Sequence, residues 1–414
     1  MPRLAPLAST LFAFIAFTFH PWAAHGQTGD GQTGESNLLA FANGALIESV
    51  SSTWGEKWDA IWLLDENPAT GWSTAEELTL PATIVISLPQ RSELRRFEFD
   101  TARTDPPDTA ARDVEIFVSD LSATTGFTRL ATIQLRPDAD RQSVALTAPG
   151  VGRWVKLVVT TTNGSTEYAQ IMDVRGFGVA LDNAPPPDLS GTYDSEAYGK
   201  VHLRQEGATL SGCSEKDGGL VHGGLEGHLL LLRWQEQPGG SGPALMVPFR
   251  DGTGFRGLWR NEGETEWKET WDLRKVSTET GACAHWIPGT QGANPVTRGL
   301  ADEGRVRLYG IAFDPDGDAM HADAMPAIGH VVEALKTHPA WSITVEDHTD
   351  AIGTIDSDRA LSARRAAAVK TALVGAGIAG ERIATAGLGR DQPVDDNATA
   401  LGRARNRRVE VLKR

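Results

Sequence analysis

Cysteine, tyrosine and methionine are scarce in this chain of 414 residues, which has two Cys, four Tyr and five Met. Two Cys cannot build the clustered set of three or four ligands that zinc requires, so Cys213 and Cys283 form either a disulfide or two free thiols. Export from the cytoplasm would favour the disulfide. Basic side chains are also in deficit. With 39 Lys and Arg against 54 Asp and Glu the formal charge is −15, which excludes the dominant basic face that a nucleic acid partner needs. Long apolar runs are missing as well. The most apolar stretch, Leu11 to Phe17, is too short to span ~30 Å of hydrocarbon, so no transmembrane span is expected in the mature chain.

Glycine, with 44 residues, and tryptophan, with 12, are abundant. Together they imply many short strands and turns, with aromatic rings for core or sugar contacts. Met1-Pro2-Arg3, the apolar run after it and Ala24-His25-Gly26 have the order of an export signal over residues 1–26. Residues 27–36 contain no apolar side chain and read as a flexible lead-in. From 37 to 178 apolar residues alternate at period two, as in Val114, Ile116 and Val118, which predicts a β-sandwich. Pro185, Pro186 and Pro187 stiffen a linker over 179–188. Gly-bounded strands recur over 189–275 and predict a small all-β meander or barrel. A second linker covers 276–300, and a bond from Cys283 to Cys213 would fasten it to that middle unit. From 301 to 414 strand and helix patterns alternate, with helices over 325–335 and 360–374, which predicts an α/β sandwich. This last unit carries only −2 of the −15.

Motifs recur in order in the last unit: Ile343-Thr344-Val345-Glu346-Asp347-His348-Thr349-Asp350, Leu361-Ser362-Ala363-Arg364-Arg365-Ala366, Gly387-Leu388-Gly389 and Asn406-Arg407-Arg408-Val409-Glu410. On the residues alone, Arg365 asks for explanation. It interrupts a helical stripe of Leu361, Val369 and Leu373, and a desolvated guanidinium needs a partner. Either Asp350, at the end of the preceding strand, bridges to it internally, or Arg365 snorkels at the helix rim. The motifs resemble the OmpA-like peptidoglycan-binding domain. That resemblance implies that Asp350 and Arg365 grip the diaminopimelate of a peptidoglycan stem, whose far end carries an ammonium and a carboxylate. It places Phe313 and Asp314 at the end of the first strand before a binding loop, and it adds Thr349, Asp358 and Arg407 as ligand contacts. Arg407 is alternatively a solvated charge. Three positions depart from the family's pattern: Asp347 replaces Gly, Ala351 replaces Asn, and Asp358 replaces the Asn before the helix. Asp358 is expected to cap that helix.

In the first unit, Asn37-Leu38-Leu39, the stretch from Leu64 to Ser73, and the strands around Ile84, Ile116 and Val155 look like a discoidin-type (coagulation-factor type C) module over 37–178. Such modules are jelly rolls that bind glycans or other polar ligands with loops at one end. The resemblance implies a structural Ca²⁺ held by Asp65, Asn67 and Thr70 with Asp173 from the last strand, hard oxygen donors suited to that ion. An ordinary Asp/Asn/Pro turn is the alternative. Trp54, Trp58 and Trp62 recur every four residues and would form one stripe, as a packed wall or as a sugar platform. The histidines of the middle unit, His202, His222 and His228, lack fixed metal-ligand spacing.

The whole chain reads as an exported, non-catalytic binding protein of the periplasm of a Gram-negative bacterium, associated with the cell wall or outer membrane. Its C-terminal unit docks on peptidoglycan, and its N-terminal unit presents a surface to a glycan or an envelope protein. A cell-wall or glycan hydrolase with appended binding modules is the alternative, although no carboxylate pair or Ser-His-Asp set stands out in the middle unit.

Overall fold

Alternating apolar residues build the first unit as expected from their period. A computed structural model describes residues 35–195, 199–236, 238–268, 271–287, 294–314 and 316–414. The expected export signal and nearly all of the lead-in lie outside the described residues. The first unit contains β1 (Ser36–Asn37), β2 (Leu46–Val50), β3 (Trp72–Ser73), β4 (Ala82–Asp100), β5 (Asp113–Ser119), β6 (Thr128–Gln134), β7 (Gln142–Val159), β8 (Gln170–Ile171) and β9 (Asp173–Ala180). The main sheet runs in the order β1-β9-β4-β7-β5-β6, with β2 added to β4. Register breaks near Ser87 and Leu94 let the long β4 change partners: its first half pairs with β2, its second half with β9. That bend folds the sheet over a core in which Ile84, Ile86, Ile116, Leu157 and Val159 are fully buried.

The three tryptophans do not form one stripe. The chain there makes two short 3-10 turns, Glu56–Trp58 and Ala60–Leu64, so four-residue spacing no longer superimposes the rings. Trp62 is buried in the core, whereas Trp54 is half exposed and meets Tyr168 edge-on at 5.6 Å.

The middle unit is a closed antiparallel barrel of β10 (Gly191–Ser195), β11 (Gly199–Glu206), β12 (Thr209–Ser214), β13 (Leu220–Glu226), β14 (Leu229–Gln235), β15 (Ser241–Pro248), β16 (Gly254–Trp259) and β17 (Leu273–Ser277). Pairing of β10 with β17 closes it and leaves no open edge. Tyr193, Leu203, Leu230, Leu232, Met246 and Phe255 fill its interior. Cys213 on β12 is bonded to Cys283, which returns the following segment to the barrel and encloses a small core with Leu220 and Trp286.

The third unit contains α1 (Pro295–Asp302), β18 (Arg305–Leu308), α2 (Met325–Thr337), β19 (Ile343–His348), α3 (Ile355–Gly375), β20 (Ile383–Gly389), α4 (Ala400–Asn406) and β21 (Arg408–Lys413). Its sheet order is β18-β21-β19-β20, with α1, α2 and α3 packed on the face that carries Val306, Val345 and Val411. Structure therefore resumes before residue 301: α1 begins inside the expected linker, capped by Asn294, whose Oδ1 accepts from Val296 N and Thr297 N. Among the described residues no helix is long and apolar enough to cross a membrane.

The units pack closely on one another. Leu229, Leu231, Leu245, Val247 and Leu258 on the outside of the barrel join the core of the sandwich, as do Ala400, Leu401 and Ala404 of α4. Arg403 of α4 pairs with Glu66 of the sandwich. Arg260 of the barrel reaches Asp395 at 2.9 Å, and Arg405 reaches the same carboxylate at 2.7 Å. Trp267 lies under both guanidiniums, at 4.5 and 5.7 Å. Gly310, at φ +76°, meets the barrel backbone so closely that a Cβ would fall 2.8 Å from Ala208, which leaves room for glycine alone.

The disulfide closes 70 residues of chain, for which loop entropy gives about 4 kcal/mol of stabilisation. Cys213→Ser with Cys283→Ser should lower the melting temperature of the barrel under non-reducing conditions. Two thiols titrating in the native, unreduced protein would contradict the bond.

Candidate functional site

The C-terminal end of β19 and the first turns of α3 frame a cleft in the third unit. α3 starts earlier than its apolar pattern implies. Thr354 is the N-cap: its hydroxyl accepts from Ser357 N while Ser357 Oγ accepts from Thr354 N, a capping box. Asp358 is thus inside the helix, buried, and paired with Arg390 through a 2.6 Å bond from Nε. The expectation that Asp358 caps the helix is corrected on this point. The buried face of α3 is Asp358, Ser362, Ala366, Val369 and Leu373. Arg365 borders that face and does not interrupt it.

Asp350 and Arg365 do not bridge internally. Asp350 Oδ2 accepts from Arg407 Nη1 at 2.8 Å, and its Oδ1 accepts from Ile352 N at 3.1 Å. Arg365 is held by backbone: Nε donates to Gly317 O at 2.9 Å and Nη2 to Asp314 O at 3.2 Å. Its guanidinium lies 5.0 Å from the Phe313 ring centre, within cation–π range. Burial pulls the Arg365 guanidinium below its ordinary range, while Asp347, Asp316 and Asp350 oppose the shift. Phe313 is not at a strand end, because β18 stops at Leu308 and Phe313 makes only an isolated bridge to Met320.

The structure therefore forms two groups, Arg365 with Phe313 and the Asp314 and Gly317 carbonyls, and Asp350 with Arg407, whose charges both act on Arg365. Other expected contacts are directed elsewhere. The Asp314 carboxylate faces solvent and meets His321 Nε2 at 3.1 Å. Thr349 is buried, with its hydroxyl donating to Asp350 O. Arg408, next to Arg407, turns to the opposite side of the sheet and pairs with Glu410 at 2.5 Å. Sequence reasoning did not find the Asp350–Arg407 pair, and the adjacent double Arg was its only signal.

A second polar cluster lies under the sandwich at Asp65 and Asp173. Asp65 Oδ1 accepts from Asn67 N at 3.0 Å and Oδ2 from the Thr70 hydroxyl at 2.7 Å, while Asn67 Oδ1 accepts from Ala69 N. The loop is thus a tight polar turn. Asp173 is fully buried, and neither of its carboxylate oxygens has a hydrogen-bond donor. Arg175 Nη2 approaches one of them at 3.1 Å but is committed to Asp100 at 2.6 Å. Burial pushes Asp65 up to about 7 and raises Asp173 as well. Asp100 and Arg175 were not anticipated. Asp100 comes into place because β4 registers it opposite Asp173 on β9.

Residues 312–407 match the OmpA family, and residues 47–174 match the F5/8 type C domain. Outer membrane protein A of Bordetella avium is 33% identical over 159 residues, which cover 37% of this chain and 81% of that protein. Peptidoglycan-binding protein ArfA of Mycobacterium tuberculosis is 34% identical over 143 residues, 34% of this chain and 44% of ArfA. The chain thus spans less than half of ArfA's length. A family 32 carbohydrate-binding module, CBM32-3 from a glycoside hydrolase of Clostridium perfringens, superimposes with a TM-score of 0.29 at 16% identity, covering 33% of this chain and 92% of the module. This chain belongs to the OmpA family through its C-terminal unit and carries an F5/8 type C domain in its N-terminal unit.

Proposed function

We propose that this is a non-catalytic cell-wall-binding protein of the bacterial envelope. It docks on peptidoglycan through the cleft of Phe313, Asp350, Arg365 and Arg407 and offers its N-terminal sandwich to a carbohydrate. The observation that carries the reading is Arg365. It is half buried and fixed by two carbonyls and a phenyl ring, and among the described residues no carboxylate lies within salt-bridge distance of it. A ligand carboxylate completes such a guanidinium. Asp350 beside it keeps acceptor capacity for an ammonium even while it accepts from Arg407. The far end of a diaminopimelate stem supplies both groups. The name of ArfA, a peptidoglycan-binding relative, supports the same ligand class, and an outer-membrane relative supports an envelope location, read here as the periplasm of a Gram-negative bacterium. On the sandwich, the exposed Trp54 edge-on to Tyr168 is the surface suited to a sugar ring.

Arg365→Ala should weaken binding to diaminopimelate-type sacculi about thirtyfold, or ~2 kcal/mol. Its melting temperature should fall only modestly, because the change removes two backbone hydrogen bonds and a ring contact but no direct ion pair. Asp350→Ala should weaken binding too, and should also lower stability by stranding Arg407. Pull-downs and melting curves on both variants check this. Equal retention of lysine-type sacculi, which lack the stem carboxylate, would overturn the diaminopimelate reading.

We also propose a structural Ca²⁺ between Asp65 and Asp173. Asp100 and Asp173 share the one guanidinium of Arg175, Asp65 adds a like charge beside Asp173, and both Asp173 oxygens lack a hydrogen-bond donor. A hard cation on the two spare carboxylates restores the charge balance. Without it, the folded chain holds protons that the unfolded chain releases. Metal-free stability from these groups is complete below the ordinary Asp value of 3.8 and is lost as pH rises through about 7. Calcium needs the ionised forms, so its stabilisation grows over the same interval. A chelator should lower the melting temperature at about pH 8 and have little effect at about pH 5. Asp65→Ala should abolish the difference. Identical curves with and without chelator at the higher pH would refute the site.

A further inference from the structure

Among the described residues the barrel supplies no group to the Arg365 or Asp350 contacts, yet one of its ends abuts the third unit. That end is made of two neighbouring hairpin turns, between β11 and β12 and between β13 and β14, and Leu225 N donates to Ala208 O at 2.8 Å to tie them together. The first turn grips both ends of the segment that holds Arg365. Ala208 N donates to Asp323 O at 3.0 Å, and Gly310 meets the backbone of Ala208 on the other side. A Cβ on Gly224 of β13 would lie 2.4 Å from Gly310 N, and a Cβ on Gly207 would lie 2.5 Å from Asp323 O. At Gly207, Gly224 and Gly310 backbone therefore meets backbone where side chains would hold the units apart. Between Gly310 and Asp323 the chain carries Phe313 and the Asp314 and Gly317 carbonyls, the groups that hold the Arg365 guanidinium. Fixing the two ends of such a loop removes conformational freedom before a ligand arrives.

The second turn braces Arg407. Glu226, the last residue of β13, accepts from Arg307 Nη2 at 3.3 Å through its Oε1. The same guanidinium donates to Arg405 O at 3.1 Å and to Arg407 O at 3.2 Å. Arg407 in turn reaches Asp350 through its side chain. A barrel carboxylate thus orients the guanidinium that holds the backbone from which Arg407 projects.

We propose that the barrel is a positioning element for peptidoglycan binding: its paired turns hold the loop around Arg365 and the backbone of Arg407 in the geometry that a stem carboxylate and ammonium meet. This rests on the reading of Arg365 as the carboxylate-binding group. Ala208, Gly224 and Glu226 are positioning residues, which act through the loop and through Arg307 and Arg407 rather than on the ligand. A spacer would need no such contacts, because a covalent connection alone sets its reach.

The test uses the full-length protein and diaminopimelate-type sacculi, at a temperature well below the melting of every variant. Gly224→Ala wedges a methyl group against Gly310, with no backbone penalty of its own because Gly224 lies outside the left-handed region. Glu226→Ala removes the anchor of Arg307 and adds no bulk. Cys213→Ser with Cys283→Ser loosens the barrel toward the far end of β12 and serves as the control. Gly224→Ala and Glu226→Ala should each weaken sacculus binding about tenfold. Gly224→Ala should also speed hydrogen exchange at the Gly317 and His321 amides, which donate within the loop to Asp314 O and Ala312 O. The control should melt lower, yet bind and exchange at those amides like the native chain. If Gly224→Ala does not fold, Glu226→Ala carries the test. Native-level binding by either folded variant overturns the proposal, and so does a loss in the control as large as theirs. If Arg365→Ala binds like the native chain, the stem-carboxylate reading itself fails. If Arg365→Ala loses binding while the barrel variants keep it, only the present inference is overturned.

Discussion

A guanidinium withdrawn from water must meet a carboxylate or a set of carbonyls, and that requirement fixes how the three units of this chain are joined. Among the described residues four arginines are buried: Arg175, Arg260, Arg403 and Arg408. Each has an acidic partner, and two of the pairs cross between units. Arg403 in α4 reaches Glu66 in the sandwich, and Arg260 in the barrel reaches Asp395 in the third unit. Deleting one member of a buried pair typically costs ~3–5 kcal/mol because the other charge is left stranded. The pairs thus penalise any arrangement in which the units drift apart, and the apolar contacts of Leu401 and Ala404 with the sandwich core add the attraction.

The short helix α4 is where these constraints meet. Its N-terminal end, capped by Thr399, packs on the 3-10 turn Phe41–Asn43 of the sandwich. Its C-terminal end delivers Arg407 to Asp350 in the cleft. One turn of helix separates the residue that holds the sandwich from the residue that braces the cleft. Glu66, at the other end of the Arg403 pair, is the neighbour of Asp65 in the polar turn. Two candidate binding regions on different units are therefore braced through one rigid element. Held in fixed relative geometry, they can engage a wall and a second ligand at high effective concentration.

How much of this was legible in the sequence depends on distance along the chain. Period-two alternation at Val114, Ile116 and Val118 reports a half-buried strand directly, and all three side chains are buried. The barrel's closure was not legible in the same way, since β10 and β17 come from opposite ends of the unit and pair only in three dimensions. Nor was the Glu66–Arg403 pair, which joins residues 337 positions apart. Errors at the cleft were smaller but more instructive. Reading the α3 stripe through Leu361 and Arg365 was displaced from the buried face through Ser362 and Ala366, because Ser362 is polar yet fully buried, with its hydroxyl donating to Arg359 O. A displaced stripe made Arg365 look like an interior residue in need of an internal acid, and Asp350 was the one at hand.

The contrast between Arg365 and Arg382 shows why the first reads as a ligand group and the second does not. Both are partly buried in the same unit, and both are held by backbone carbonyls. Arg382 closes around the loop after α2: Nε donates to Trp341 O at 2.9 Å, and Nη2 donates to Leu335 O, His338 O and Trp341 O between 2.7 and 3.0 Å. Those carbonyls belong to the end of a helix and the turn after it, where they would otherwise lack donors, so Arg382 caps structure and its role is complete. Arg365 takes only two carbonyls, from the loop that carries Phe313, and sits among Asp347, Asp350 and Asp316 without pairing to any of them. A carboxylate already in contact would make the site self-satisfied, and a ligand would have to displace it. Asp350 is instead drawn off by Arg407, and Asp347 is held behind the helix. Two carbonyls and a ring orient the guanidinium, and with no acid paired to it among the described residues it stays open to a carboxylate from outside.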